Sequence, residues 1–166
     1  NSYGEINGSE VEAAIGAGVD EIMLPMVRSP REVEALLAMM GGRCGLGIMV
    51  ETLDAVAAAK ELAQYPLARV YVGLNDLSIE RGTMNLFEAV LDGTVADLRE
   101  VFRDTSFGFG GLTMPDRGYP IPCRLLIGEM ARIGCSYSFL RRSFHRDIQG
   151  RDPAVEIPRL LEALRR

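Results

Sequence analysis

Short apolar runs that stop abruptly at a polar residue alternate along this chain with segments whose apolar positions recur at helical spacing. Runs of the first kind read as buried strands, and segments of the second as helices packed on a sheet by one face. Ser9 is placed to cap a helix through Ile15, which Gly16 and Gly18 end. A strand over Glu21–Val27 follows, and Arg28-Ser29-Pro30 then offers the serine and proline that suit a helix start. That helix carries Val33, Leu36, Leu37 and Met40, an i, i+3, i+4, i+7 stripe, and Gly41 and Gly42 stop it. The next strand, Gly45–Glu51, leads into an alanine-rich helix up to about Gln64, broken by Tyr65-Pro66. A third strand spans Val70–Asp76.

A longer excursion, 77–93, precedes a helix with Val95, Leu98 and Phe102 and a fourth strand over Phe107–Thr113. The glycine- and proline-rich loop 114–122 then connects to a helix carrying Leu126, Met130 and Ile133. A fifth strand over Cys135–Leu140 and a last helix from about Pro153 to Leu164 complete the pattern. Strands alternating with helices, without polar alternation inside the strands, indicate an α/β fold with a parallel sheet covered on both faces. Five strands are too few for a complete (β/α)8 barrel of ~250 residues. The pattern leaves two architectures open: a five-stranded doubly wound sheet, or the carboxyl-terminal five β/α units of a barrel.

Composition narrows the chemistry more than the fold. The 166 residues suffice for a single domain with a core. A net charge of −5 argues against a nucleic-acid surface. No apolar run approaches the ~20 residues of a membrane span, and no signal-peptide pattern opens the chain. The chain also lacks an initiator methionine, so its true start is expected to lie further upstream. Cys44, Cys123 and Cys135, odd in number and without a C-x-x-C pair, read as small buried residues of a reducing, cytoplasmic protein. Lys60, the sole lysine, lies in the alanine-rich helix as a solvated residue, which argues against Schiff-base chemistry. A single histidine, His145, rules out a zinc site of several histidines within the chain.

Against that background two carboxylates stand out. Glu51 and Asp76, 25 residues apart, each close an apolar strand, and a helix joins the two strands. Consecutive parallel strands deliver such residues to one face, where α/β proteins place metals and substrates. Paired hard oxygen ligands suit Mg²⁺, Mn²⁺ or another divalent cation better than zinc. The plainer alternative is that Glu51 caps the following helix and Asp76 opens a turn.

The stretches Ile22-Met23-Leu24-Pro25-Met26-Val27, Ile48-Met49-Val50-Glu51-Thr52 and Gly73-Leu74-Asn75-Asp76-Leu77-Ser78 with Gly82 resemble, in order and spacing, the HpcH/HpaI aldolase and citrate lyase β-subunit superfamily. The similarity covers roughly residues 9 to 142. Asp92-Gly93-Thr94-Val95, Phe107-Gly108-Phe109-Gly110-Gly111 and Arg142-Ser143-Phe144 are similar to a less characterised bacterial branch of it. The resemblance implies the phosphoenolpyruvate/pyruvate barrel, with residues 1–166 as one amino-terminally truncated barrel domain. It further implies a divalent cation on Glu51 and Asp76, and a carbon–carbon lyase acting on a 2-oxo acid such as pyruvate through a metal-stabilised enolate. Gly73, Leu74 and Asn75 would shape the pocket for the substrate carboxylate. Citrate lyase-like or malyl-CoA lyase-like cleavage of an acyl-CoA is the alternative substrate class, and a non-catalytic or regulatory barrel the alternative of another kind.

Departures from the family pattern bear on catalysis. Met49 stands where these aldolases often have glutamine, and the family's early-strand arginine and histidine would precede Asn1. Within the chain, His145 and Arg142 are the remaining catalytic candidates, although a loop histidine and one of a pair of arginines are usually solvated. The glycines of Phe107–Gly111 match neither phosphate-binding fingerprint and read as places of close backbone approach. A phosphoacceptor receiver is disfavoured because Lys60 lies within a helix rather than at a strand end. A barrel lacking its first strands would expose an open sheet edge, so self-association into a homo-oligomer is expected.

Overall fold

The computed structural model describes residues 6–165. The elements of its first part, in chain order, are α1 (Gly8–Gly16), β1 (Glu21–Leu24), α2 (Pro30–Met40), β2 (Gly45–Val50), α3 (Leu53–Ala57), α4 (Ala59–Leu62), β3 (Arg69–Val72), α5 (Leu74–Glu80), α6 (Glu88–Leu91) and α7 (Thr94–Val101). Then come β4 (Ser106–Phe109), β5 (Gly111–Leu112), α8 (Cys123–Ile133), β6 (Phe139–Leu140), α9 (Ser143–Asp147) and α10 (Pro153–Arg165). The chain divides into two compact units, Asn1–Phe107 and Gly108–Arg166. One sheet has the strand order β1-β2-β3-β4, and β5 pairs with β6 in a second. The pairs β1–β2, β2–β3 and β5–β6 are parallel. Consecutive order is that of a barrel; a doubly wound sheet reverses its order at a switch point.

The two faces of β1–β3 differ. Ile22, Leu24, Leu46, Ile48, Val50, Val70 and Val72 alternate onto one face, and the last five of these are almost wholly buried. The other face carries Met23, Gly47, Met49 and Tyr71, with a Glu21–Arg69 ion pair at 2.6 Å reaching from β1 to β3. That pair crosses Gly47, where an added Cβ would lie 2.6 Å from the Glu21 carboxylate and 3.0 Å from Arg69. The sequence pattern predicts a sheet covered alike on both faces; here only one face is aliphatic, and the second is built of methionine, glycine, tyrosine and a bridged charge. It is this face, continued beyond the strand ends, that carries Glu51.

Element ends depart from the hydropathy pattern at identifiable points. Asn7, not Ser9, caps α1, its side-chain oxygen accepting from the Ser9 amide at 3.1 Å. Ser29 and Pro30 do open α2, and Glu32 reaches back to the Ser29 amide at 3.2 Å. Gly41 ends it at φ 58°. The alanine-rich segment is two short helices separated at Ala58 (ψ 4°), an interruption that helix propensity does not explain. The expected fourth strand splits at Gly110 (φ 58°) into β4 and β5, and the fifth shrinks to Phe139–Leu140.

Buried Cys123 opens α8 and donates its thiol to the Thr113 carbonyl at 3.2 Å. Burial pushes its thiol pKa up, outweighing the Arg141 charge, which acts the other way. Cys123 is therefore expected to react with a disulfide reagent at least tenfold more slowly than half-buried Cys44. Native labelling followed by peptide mapping reads the two rates.

Candidate functional site

The carboxyl ends of β1, β2 and β3 meet in three short loops. In register Leu24 pairs with Ile48 and Val50 with Val72, so β2 and β3 end level and the chain leaves both at the same height. Glu51 is the first residue beyond β2 and Gly73 the first beyond β3, where the Gly73 amide donates to the Val50 carbonyl at 3.2 Å. The Glu51 side chain lies across Gly73. An added Cβ there would run into the Glu51 carboxylate and stand 2.8 Å from its Cβ.

A feature the sequence did not signal holds that carboxylate from the other side. β1 stops at Leu24 because Pro25 has no N–H for a ladder. Met26 then adopts φ 53°, a left-handed conformation costly for a residue with a Cβ. This turn aims the Met26 amide at Glu51 Oε1, 2.8 Å away. Such strain persists where surrounding structure over-determines it, frequently at binding sites. Hydropathy carries no trace of it, since an apolar Met-Val pair reads equally as strand.

Asp76 sits in the first turn of α5 rather than at the end of β3, as Gly73 closes the strand and forms the helix N-cap. It stays partly exposed, whereas Glu51 is only 3% exposed. The Glu51 pKa lies above the ordinary glutamate range: burial is the chief cause, the Met26 amide opposes it, and the Asp76 charge adds to it. Two carboxylates thus share one corner, and among the described residues no arginine or lysine forms an ion pair with Glu51.

The helix-cap role, the plainer alternative for Glu51, falls instead to Thr52. Its hydroxyl donates to the Val27 carbonyl at 2.5 Å and accepts the Ala55 amide at 3.0 Å. Arg28 ties the three loops further, bridging Asp54 of α3 at 3.1 Å and Glu80 of α5 at 2.5 Å. Thr52→Val loses a helix cap and strands a buried carbonyl, at an expected cost of about 1–3 kcal/mol. Urea unfolding of the two proteins measures it.

The donor set fits a divalent cation. Mg²⁺ characteristically takes one or two carboxylates and fills its remaining positions with water and substrate oxygens. Glu51 and Asp76 supply that number, and no cluster of three or more His, Cys, Asp or Glu suited to a metal occurs among the described residues. Met49 lies on the Glu51 face, one step back along β2. Leu74 is buried and Asn75 exposed, both in the first turn of α5 beside Asp76. The amides of 74–76 have no intrahelical partner, since the first helical bond is from Leu77 to Gly73. Arg142 and His145 belong to the second unit and are exposed, Arg142 preceding α9 and His145 within it, its ring edge-on to Phe144.

No protein-family model and no curated protein sequence matches this chain. Solved structures do. RipC from Yersinia pestis aligns at a TM-score of 0.69 and 17% identity, over 94% of this chain and 69% of its own. An HpcH/HpaI aldolase/citrate lyase family protein from Burkholderia cenocepacia aligns at 0.69 and 11% identity, over 96% and 70%. The citrate lyase β subunit of M. tuberculosis, complexed with oxaloacetate and magnesium, aligns at 0.61 and 17% identity, over 95% and 67%. The neighbours are thus HpcH/HpaI aldolase and citrate lyase family proteins, and the chain corresponds to part of their length. At these identities the likeness is one of fold: a parallel α/β arrangement of their barrel type.

Proposed function

We propose that Glu51 and Asp76 hold a divalent cation, Mg²⁺ or Mn²⁺, and that this chain serves a carbon–carbon lyase of the aldolase type acting on a 2-oxo acid. The observation that carries this reading is the buried Glu51 carboxylate, set over Gly73 and beside Asp76, with no arginine or lysine ion-paired to it among the described residues. Burying a carboxylate beside another is costly unless a cation joins them. A bound divalent cation would supply the Lewis acidity that favours the enolate of a 2-oxo acid.

The residues of the chain have separate parts in this. Met26 fixes one Glu51 oxygen through its amide, which orients the carboxylate without neutralising it. Gly73 contributes space rather than a donor, since its amide is engaged by Val50. The amides of Leu74, Asn75 and Asp76 are suited to the carboxylate of the substrate, where the helix end favours negative charge. The Arg28–Asp54–Glu80 bridges hold the loops in register around the corner. The oxaloacetate and magnesium of the M. tuberculosis neighbour are the ligand types this corner suits; cleavage of an acyl-CoA of the citrate lyase kind is the second reading.

Exchange of pyruvate methyl protons for deuterium, followed by NMR, tests the enzyme reading. Exchange that requires Mn²⁺ or Mg²⁺ and falls at least a hundredfold in Asp76→Asn is the expected result. Cation binding without any exchange of pyruvate or oxaloacetate would turn the reading toward a non-catalytic barrel.

A further inference from the structure

We propose that the carboxyl end of the β5–β6 pair is an oxyanion-binding subsite, in which Arg141 and Ser143 receive a carboxylate or phosphate group. Arg141 follows β6 directly and donates its amide to the Leu112 carbonyl at 2.8 Å. Gly111 makes that seat possible, since an added Cβ would come within 2.6 Å of the Arg141 Cβ. In this seat the Arg141 Nε is buried without a hydrogen-bond partner among the described residues, and so is the Ser143 hydroxyl two positions on. Buried donors are rarely left so, and each such group calls for a ligand, an ion or a water.

Charge decides among these. No carboxylate forms an ion pair with Arg141 among the described residues. Asp147, whose carboxyl the Arg141 charge helps hold below the usual range, is already committed. It accepts the Thr113 hydroxyl at 2.5 Å and Arg146 at 3.1 Å. A water would satisfy the hydrogen bonds alone, whereas an oxyanion also adds charge pairing to the part that Asp147, shared with Arg146, supplies, and arginine matches carboxylate and phosphate oxygens in shape. The far end of α9 adds to the attraction. There Arg146 and Asp147 line an open hollow of about 510 Å³ with Asp116, Arg117 and Arg124, and neither Arg117 nor Arg124 is ion-paired among the described residues. Three arginines against two aspartates leave this lining one positive charge in excess, in a chain whose net charge is −5.

The subsite stands apart from the Glu51–Asp76 reading and is tested without it. Inorganic phosphate and succinate are titrated separately into the full chain by calorimetry, beside Arg141→Gln, Arg141→Lys and Ser143→Ala. Saturable one-to-one binding of at least one anion, weakened tenfold or more by Arg141→Gln and partly restored by Arg141→Lys, is expected. Which anion saturates assigns phosphate or carboxylate. Mn²⁺ affinity is expected to be unchanged in Arg141→Gln, which separates this subsite from the cation site. Ser143→Ala removes an unpartnered hydroxyl, so it should raise Tm in anion-free buffer and lose that advantage when the anion is present. Equal anion binding by wild type and a folded Arg141→Gln, or a Ser143→Ala Tm difference indifferent to both anions, would overturn the proposal.

Discussion

Gly73→Ala is expected to abolish divalent-cation binding and to destabilise the fold by about 1–3 kcal/mol, the usual cost of forcing atoms into a packed place. The glycine is not needed for its backbone: φ −81° and ψ 90° are open to any residue. It is needed for room. Its missing side chain is where the Glu51 carboxylate lies, and the Glu51 Cβ closes the space behind. An alanine methyl therefore displaces the carboxylate, breaks its contact with the Met26 amide and separates it from Asp76. Equilibrium unfolding in urea and Mn²⁺ titration on the same preparations read both effects. Cation affinity within threefold of wild type in Gly73→Ala would mean that Glu51 is not the ligand.

Glu51→Gln is expected to move stability and binding in opposite directions. Without a cation, the buried carboxylate is a charge the fold disfavours, so the neutral amide should stabilise the protein at neutral pH by about 1 kcal/mol, the scale of many single stabilising replacements. Cation binding should fall at least a hundredfold. The pH dependence follows from the raised pKa, whose first cause is burial and whose second, the Met26 amide, opposes it, with Asp76 adding to the rise. A folded-state pKa above the unfolded value means the fold binds the proton more tightly. The contribution of Glu51 is then fully present below the ordinary glutamate pKa and is lost as pH rises through the raised value. The stability gap between Glu51→Gln and wild type should accordingly be closed in acid and open toward neutral pH. In an Asp76→Asn background it should open over a lower and narrower range. Mn²⁺ added at neutral pH should reverse the order of the two proteins, since it stabilises the one that binds it.

The hydropathy pattern located every one of the long helices and put Glu51 and Asp76 at the carboxyl ends of neighbouring strands, because one apolar face per element is enough to fix which segments pack; Glu51 does follow β2 directly, while Asp76 lies in the first turn of α5. What it could not place were the features that turn those loops into a site. Pro25 ends β1 three residues short of the apolar run, since proline lacks the donor a ladder needs, while Met26 and Val27 remain apolar in a turn. The Leu74-Asn75-Asp76 stretch reads as strand because buried Leu74 continues the run Val70–Val72, yet Gly73 has already let the chain turn into α5. The β6 strand is short for a related reason. At Gly108 an added Cβ would strike the Tyr137 carbonyl, so the segment before β6 passes close against β4 instead of extending β6 back to Cys135. Gly73, Gly108 and Gly111, like Gly47, thus admit a neighbour's atoms, a role that their place in an apolar strand suggested for Gly108 and Gly111 and not for the other two.

If Glu51 and Asp76 form one divalent-cation site, calorimetric titration of Mn²⁺ shows it in a single set of experiments. Wild type, Glu51→Gln, Asp76→Asn and the double variant would be titrated at neutral pH, each with and without oxalate as a mimic of an enolised 2-oxo acid. One site is expected in wild type, tightened by oxalate at least fivefold, weakened a hundredfold or more in each single variant, and no further in the double, because both carboxylates serve the same ion. Binding in wild type that the double variant retains, or no binding to a wild-type protein shown to be folded, would contradict it.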